Sequence, residues 1–364
     1  MKTIICEAIP FGYGPAAILY SFIKELSKEF NIIIASSGST FNFFKESHFK
    51  TVFCSSYDQR EIKETIQKYQ ENLFAVLSVE NERFLYAAKE LSVRTIYIDL
   101  FEFIWDTTLE YMPYADLYVV YTLFENTEKI KRLQDKGVLL LSPKVEKLHP
   151  MVSTSKDKKL LVHIGGLNSS CITSSHLCNY SNFLSLFIRE LKNLNPENEI
   201  DIVTSGEVYY CLKKLFDNHQ EIKLYHDIPH GDFLRILSEC SNYYTTPGIT
   251  STLTGIFNQK KTHLILPANY TQFEQLSMFK RFFNNDTPSI DYYKEGFAST
   301  MVKEKEGIEQ IEKFFSKLDI DIKDYAKNVM CNPFYTKKNL SDIFIKRENS
   351  ILSVIKSVEN TNVL

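Results

Sequence analysis

The stretch Asp227–Gln275 reads DIPHGDFLRILSECSNYYTTPGITSTLTGIFNQKKTHLILPANYTQFEQ. In order it gives a strand end, a helix, a strand closing on Tyr244-Thr245-Thr246, a Pro247-Gly248 turn, and a hydroxyl-rich helix start at Thr250-Ser251-Thr252. A second helix and strand lead to Pro267, and a polar loop reaches Asn269 and the pair Glu274-Gln275. Strands alternating with helices of this length are the signature of a parallel sheet with crossover helices. The hydroxyls and N–H groups gathered after Gly248 lie at the positive end of a helix, a place suited to a diphosphate. Thr250 or Ser251 could equally serve as an ordinary N-cap there.

The same alternation runs outward in both directions. Upstream, strands are expected at Thr3–Ala8, Asn31–Ala35, Lys50–Cys54, Phe74–Ser78, Thr95–Asp99, Leu117–Tyr121 and Val138–Leu141. Ala16–Glu29 sets Ile18, Phe22, Leu26 and Phe30 at helical spacing, with Lys24, Glu25 and Lys28 turned away, as in an amphipathic helix lying on a sheet. The polar run 151–158, after His149-Pro150, reads as a linker, and beyond it the pattern restarts with Leu160–Ile164. The expectation is an α/β chain of two Rossmann-like domains, 1–150 and 159–334, facing across a cleft. A C-terminal segment, 335–364, packs back on the first. In such sheets ligands bind beyond the carboxyl ends of the strands.

Composition agrees. A chain of 364 residues, 44% hydrophobic and 24% charged, is neither disordered nor membrane-spanning in type. The formal charge of -3 gives no footprint for nucleic acid. Seven cysteines stand singly with no CxxC spacing, which argues against a disulfide framework or a structural zinc site and fits a cytoplasmic protein. No apolar run approaches the ~20 residues of a transmembrane helix. The opening MKTIICEAIPFGYGPAAILYSF resembles a leader, but Glu7 and the Pro10–Pro15 loop interrupt it, and it reads as strand, loop and helix.

Two glycine loops follow strands. Gly12-Tyr13-Gly14 precedes an apolar helix and lacks the full dinucleotide-binding spacing, because Ala17 stands where a third glycine would be. Gly165-Gly166 with Asn168 follows the strand that opens the second half, and can offer backbone N–H groups to phosphate oxygens. His163, inside that strand, reads as a packed residue.

The order of these segments resembles that of GT-B-fold glycosyltransferases, among them the enzymes that complete the peptidoglycan lipid precursor and those that decorate natural products. The resemblance implies that Asp227 and Ile228 hold the nucleotide base. Gly248 with Thr250, Ser251 and Thr252 would hold the diphosphate, alongside Gly166, Asn168, Ser205 and Gly206. Asn269, Glu274 and Gln275 would touch the donor sugar, and Gly12, Tyr13 and Gly14 would form the acceptor loop. Many relatives place a ribose-binding glutamate where this chain has Thr254.

Glycosyl transfer needs a base for the acceptor hydroxyl and stabilisation of the leaving diphosphate. Carboxylates at first-domain strand ends are the candidates: Asp99 first, then Glu102 and Glu7, with Glu80 after the fourth strand. No cofactor or metal is required. The nucleotide sugar is the substrate and helix dipoles take the charge; Asp319-Ile320-Asp321 reads as surface charge. The acceptor is a small molecule or is lipid-linked. Two further readings stay open on the same fold, a sugar-nucleotide 2-epimerase and a catalytically inactive nucleotide- or glycan-binding protein.

Overall fold

A computed structural model describes residues 1–105, 108–121, 127–141, 159–168, 171–283, 304–318, 320–334, 351–352 and 355. The chain divides into two compact units: Met1–Lys144 with Asn339–Leu364, and Val145–Lys338. The expected linker 151–158 lies outside the described residues.

The first unit is built on β1 (Thr3–Ala8), β2 (Asn31–Ser36), β3 (Lys50–Phe53), β4 (Leu73–Val79), β5 (Thr95–Asp99), β6 (Leu117–Tyr121) and β7 (Leu139–Leu141). They form one sheet in the order β3-β2-β1-β4-β5-β6-β7, with every pair parallel. Central strands of such a sheet are covered on both faces, so they read as continuous apolar runs rather than alternating ones. TIICEA of β1 is buried at all six positions. Helices α1 (Gly14–Leu26), α2 (Gly38–Phe44), α3 (Gln59–Lys68), α4 (Glu82–Glu90), α5 (Glu102–Trp105), α6 (Thr108–Tyr111) and α7 (Thr127–Asp135) connect the strands. Pro15 sits in the first turn of α1, where its missing N–H costs nothing, and Ile18, Leu19, Phe22, Ile23 and Leu26 form the buried stripe. In the C-terminal segment Ile351 and Ile355 are buried, and the Leu352 N–H donates to Glu25 Oε1 at 3.4 Å.

The second unit repeats the plan. Strands β8 (Lys159–His163), β9 (Glu199–Thr204), β10 (Ile222–His226), β11 (Asn242–Thr245) and β12 (Lys261–Leu264) form a parallel sheet in the order β10-β9-β8-β11-β12. Helices α8 (Ser174–Leu194), α9 (Gly206–Phe216), α10 (His230–Glu239), α11 (Ile249–Phe257) and α12 (Tyr270–Phe283) alternate with them. Two further helices, Glu304–Ser316 and Ile322–Cys331, pack on α8. Their Phe315 and Tyr325 meet Tyr180 and Phe183 of α8 at ring-centroid distances of 4.9 and 5.8 Å.

Both sheets change winding direction at one place. In the first unit the chain leaves β1 toward β2 and later returns to β4 on the other side; in the second, β8 lies between β9 and β11. These switch points are where open α/β sheets accept ligands.

Candidate functional site

All five strands of the second sheet are parallel, so their carboxyl ends lie along one edge. That edge collects the expected donor residues: Asp227 and Ile228 after β10, Ser205 and Gly206 after β9, and Gly166 and Asn168 after β8. Gly248 and Thr250–Thr252 follow β11, and Asn269 follows β12.

The turn after β8 is fastened on both sides. Asn168 Nδ2 donates to Ser205 Oγ at 2.7 Å, which ties β8 to the start of α9. Gly206 has φ 62°, and a Cβ there would lie 2.4 Å from Asn168 Oδ1, so only glycine fits. The Gly165 N–H donates to Thr246 Oγ1 at 3.1 Å, while Gln272 Nε2 donates to Gly165 O at 3.0 Å and reaches Thr246 Oγ1 at 3.3 Å. Asn269 Nδ2 donates to Gly166 O at 2.7 Å. Gly166 has φ 84°, and a Cβ there would meet Gln272 Nε2 at 2.3 Å and Asn269 Nδ2 at 2.6 Å. The glycine therefore serves close packing of side-chain amides as well as any ligand.

The segment that carries Asn269 is equally rigid. Tyr180 donates its hydroxyl to Leu266 O at 2.6 Å, the Leu266 N–H donates to the Tyr325 hydroxyl at 2.8 Å, and His176 Nε2 lies 2.7 Å from Ala268 O. Burial lowers the His176 pKa, so the ring is neutral and donates from Nε2.

Two helices begin beside the β8 turn, α9 on one side and α11 on the other, and no side chain caps either. Gly248, the N-cap of α11, has no side chain to offer. The expectation that Thr250 or Ser251 caps this helix fails for a local reason. Ser251 Oγ turns back to donate to Gly248 O at 3.1 Å, and Thr254 donates to Thr250 O at 2.7 Å. Asp58, Asn81 and Thr173 cap α3, α4 and α8, while α1, α2 and α10 also begin without a side-chain cap, so what marks this place is two such starts flanking one turn. The Gly165–Asn168 turn thus lies between two open helix N-termini, whose N–H groups and partial positive charge favour an anion.

The remaining expected donor residues are placed as follows. Asp227 follows β10 in left-handed backbone, φ 48°, with its carboxylate 3.1 Å from His226 Nε2. The His226 ring stacks on Tyr209 at 4.4 Å. Ile228 packs against the buried cluster around Phe233 and Tyr243. Thr252 and Gln275 are buried, and Thr252 Oγ1 and Gln275 Oε1 have no hydrogen-bond partner among the described residues. Glu274 is half-buried. Gln272, one turn before Gln275, makes the contacts to the glycine turn, and sequence reading missed it because only a fixed α12 start shows which glutamine reaches Gly165. His163 packs as expected: Nδ1 lies 2.9 Å from the Tyr243 hydroxyl, and burial pushes its pKa down to about 4.

In the first unit the corresponding edge is acidic. Glu7 of β1 is fully buried; its oxygens accept from Asn81 Nδ2 at 2.9 Å and Ser78 Oγ at 3.3 Å, and burial pushes its pKa up to about 8. Asp99 is also fully buried. Oδ1 accepts from the Phe101 N–H at 2.8 Å and Oδ2 from the Tyr118 hydroxyl at 2.7 Å. Glu80, in left-handed backbone with φ 62°, accepts from the N–H groups of Leu100 and Phe101. Burial and the Asp99 charge raise its pKa well above the carboxylate range. Glu102 pairs with Lys129 at 3.4 Å. Gly12 has φ 69°, and Ser39 Oγ donates to its carbonyl at 2.8 Å; Tyr13 leads into Gly14, the first residue of α1, with its ring 6.1 Å from Phe43. Asp321 of the expected surface-charge triplet caps its helix by accepting from the Asp324 N–H at 3.0 Å; Asp319 lies outside the described residues.

No protein-family model and no curated protein matches the sequence. Solved structures do match in fold. A putative UDP-N-acetylglucosamine 2-epimerase from Listeria monocytogenes is 12% identical with TM-score 0.52, over 99% of this chain and 97% of that one. A UDP-glucosyltransferase from Polygonum tinctorium capable of glucosylating indoxyl is 13% identical with TM-score 0.52, over 99% and 98%. Phytolacca americana UGT2, complexed with UDP-2fluoro-glucose and pterostilbene, is 13% identical with TM-score 0.51, over 99% of both chains. The fold is GT-B, shared by transferases and epimerases. No helix among the described residues is long and apolar enough to cross a membrane.

Proposed function

We propose that this chain binds a nucleotide-diphosphate sugar on its second unit and transfers the sugar to a small-molecule or lipid-linked acceptor. One observation carries the reading: the Gly165–Asn168 turn is held between two helix starts that no side chain caps. There, the diphosphate accepts from the N–H groups of α11 and from the glycine turn, so no metal is needed for the leaving charge. The base segment is Asp227–Ile228. Among the acids of the first unit Asp99 is the candidate base; Glu7 keeps its proton until pH nears about 8, and Glu102 is held by Lys129.

The placing of Glu80 beside Asp99, where burial and the Asp99 charge raise the Glu80 pKa, supports a second reading, epimerisation of the nucleotide sugar itself, because a neutral carboxyl next to an ionised one suits proton abstraction and return. Calorimetric titration with nucleoside diphosphates tests the shared premise: binding is expected, and no heat with any of them in folded protein overturns it. Turnover of a nucleotide sugar without acceptor, with solvent deuterium entering the product, selects the epimerase. Turnover only when an acceptor is present selects the transferase.

A further inference from the structure

We infer that Glu304 is a positioning residue of the nucleotide site, acting at two removes on the Gly165–Gly166 turn. The inference rests on the reading just proposed for that edge. Glu304 opens the helix Glu304–Ser316, far along the chain from the strands, yet its Oε2 accepts from the Thr271 N–H at 2.8 Å and from Thr271 Oγ1 at 2.6 Å. Thr271 lies in the first turn of α12. Asn269 Oδ1 accepts from the Gln272 N–H at 2.8 Å, so the open end of α12 is closed from both sides. A carboxylate at this end also meets the positive pole of the helix.

The approach is possible only because of Gly307, one turn beyond Glu304. A Cβ there would lie 2.1 Å from the Tyr270 ring, so the glycine lets the two helices meet at the α12 start. The effect then passes along hydrogen bonds. Fixing the first turn aims Gln272, whose Oε1 accepts from the Ala268 N–H at 2.8 Å while its Nε2 holds Gly165 O at 3.0 Å. Asn269 holds Gly166 O at 2.7 Å. Glu304 thereby sets the glycine turn, and leaves α9 and α11 as the open helix starts beside it.

Hydrogen–deuterium exchange of the unliganded full chain tests this without relying on any activity. In Glu304→Ala, exchange at Gly165–Asn168 should rise about tenfold or more, and UDP affinity measured by calorimetry should fall about tenfold. Glu304→Gln keeps an acceptor oxygen and should stay within about twofold of the parent in both. Unchanged exchange at Gly165–Asn168 in Glu304→Ala overturns the inference, since a merely local role would loosen only α12 and the Glu304–Ser316 helix. Should that variant fail to fold, Thr271→Val removes the hydroxyl donor alone and reads the same turn: faster exchange there supports the inference, and unchanged exchange overturns it. A parent that binds no nucleoside diphosphate defeats the proposed function, while the exchange result still decides the role of Glu304.

Discussion

The two units share a winding order and differ in what they bury at it. Around β1, β4 and β5 the first unit buries Glu7, Asp99, Tyr97 and Tyr118, and burial pushes Glu7 and both tyrosines upward. Around β8, β11 and β12 the second unit uses amides, hydroxyls and histidines, with His163 and His263 pushed down to about 4 by burial. One topology therefore carries opposite electrostatics. At the β8 turn the second unit brings together two helix starts that no side chain caps, fit for an anion, whereas the first unit, whose α1 and α2 also start without a side-chain cap, buries carboxyls that are protonated or hydrogen-bonded at its strand ends.

The sharpest way to break this contrast is to place the same substitution in the two glycine turns. Gly166→Ala forces a methyl group within 2.3 Å of Gln272 Nε2 and 2.6 Å of Asn269 Nδ2 in left-handed backbone. We expect a loss on the order of 2–4 kcal/mol in the stability of the second unit, from overpacking plus strain, and nucleoside diphosphate binding too weak to detect. Gly12→Ala brings left-handed strain, φ 69°, which should cost about 1–2 kcal/mol, and should leave nucleotide affinity unchanged. Denaturant midpoints and calorimetry check both. Equal losses of nucleotide affinity would remove the distinction between the turns.

The next effect is on pH. A buried carboxyl whose folded pKa is raised binds its proton more tightly in the folded state. Its stabilisation is complete below the unfolded value and is lost as pH rises through the folded one. For Glu7 that window runs from the ordinary 4.5 up to about 8. A buried histidine with a lowered pKa behaves in reverse: the unfolded chain takes up the proton, and stability falls as pH drops from 6.5 toward about 4. Hydrogen exchange should therefore show the first unit opening earlier on the alkaline side and the second on the acid side. Glu7→Gln keeps partners for Asn81 and Ser78, and should remove a loss on the order of a few kcal/mol from the alkaline limb of the first unit only. An unchanged alkaline limb would mean that Glu7 does not set the pH response of its unit.

Much of this architecture was legible because parallel strands buried on both faces need unbroken β-branched runs. NIIIAS, TIICEA and LYVVY announce themselves, and the strands Thr3–Ala8, Thr95–Asp99 and Leu117–Tyr121 match residue for residue. Helix α2, GSTFNFF, is not legible in this way: its aromatic residues and Asn42 show no polar stripe, and it is held by Thr40 donating to Ala8 O at 3.0 Å rather than by pattern. At the candidate site, Gly166 and Asn168 were visible as a glycine and a small amide after a strand, while Ser205 and Asn269 were expected only by resemblance. Gln272 and Glu304 were not, since their partners lie 107 and 33 residues away and only the fold brings them together. Asp99 was legible as a strand-end acid, but not that Tyr118 and the Phe101 N–H would occupy both its oxygens.

Thr254 offers the smallest and finest test. It stands where a ribose-binding carboxylate is expected by resemblance, so a ligand role would make it sensitive to any change. Yet it is 5% exposed, and its hydroxyl donates to Thr250 O at 2.7 Å, the carbonyl one turn back. Such a bond within a helix is worth little, because the carbonyl already accepts from the backbone ladder. Thr254→Val keeps the shape and removes the donor; we expect under about 1 kcal/mol in stability and less than a twofold change in UDP affinity. The open start of α11 would be untouched, as Gly248 and Ser251 keep their arrangement. A tenfold loss of affinity in this variant would mean that the hydroxyl turns outward to the ribose when nucleotide binds. The second unit would then recognise the sugar ring through α11 as well as the phosphates, and its contrast with the first would lie in adaptable side chains rather than in a fixed, uncapped backbone.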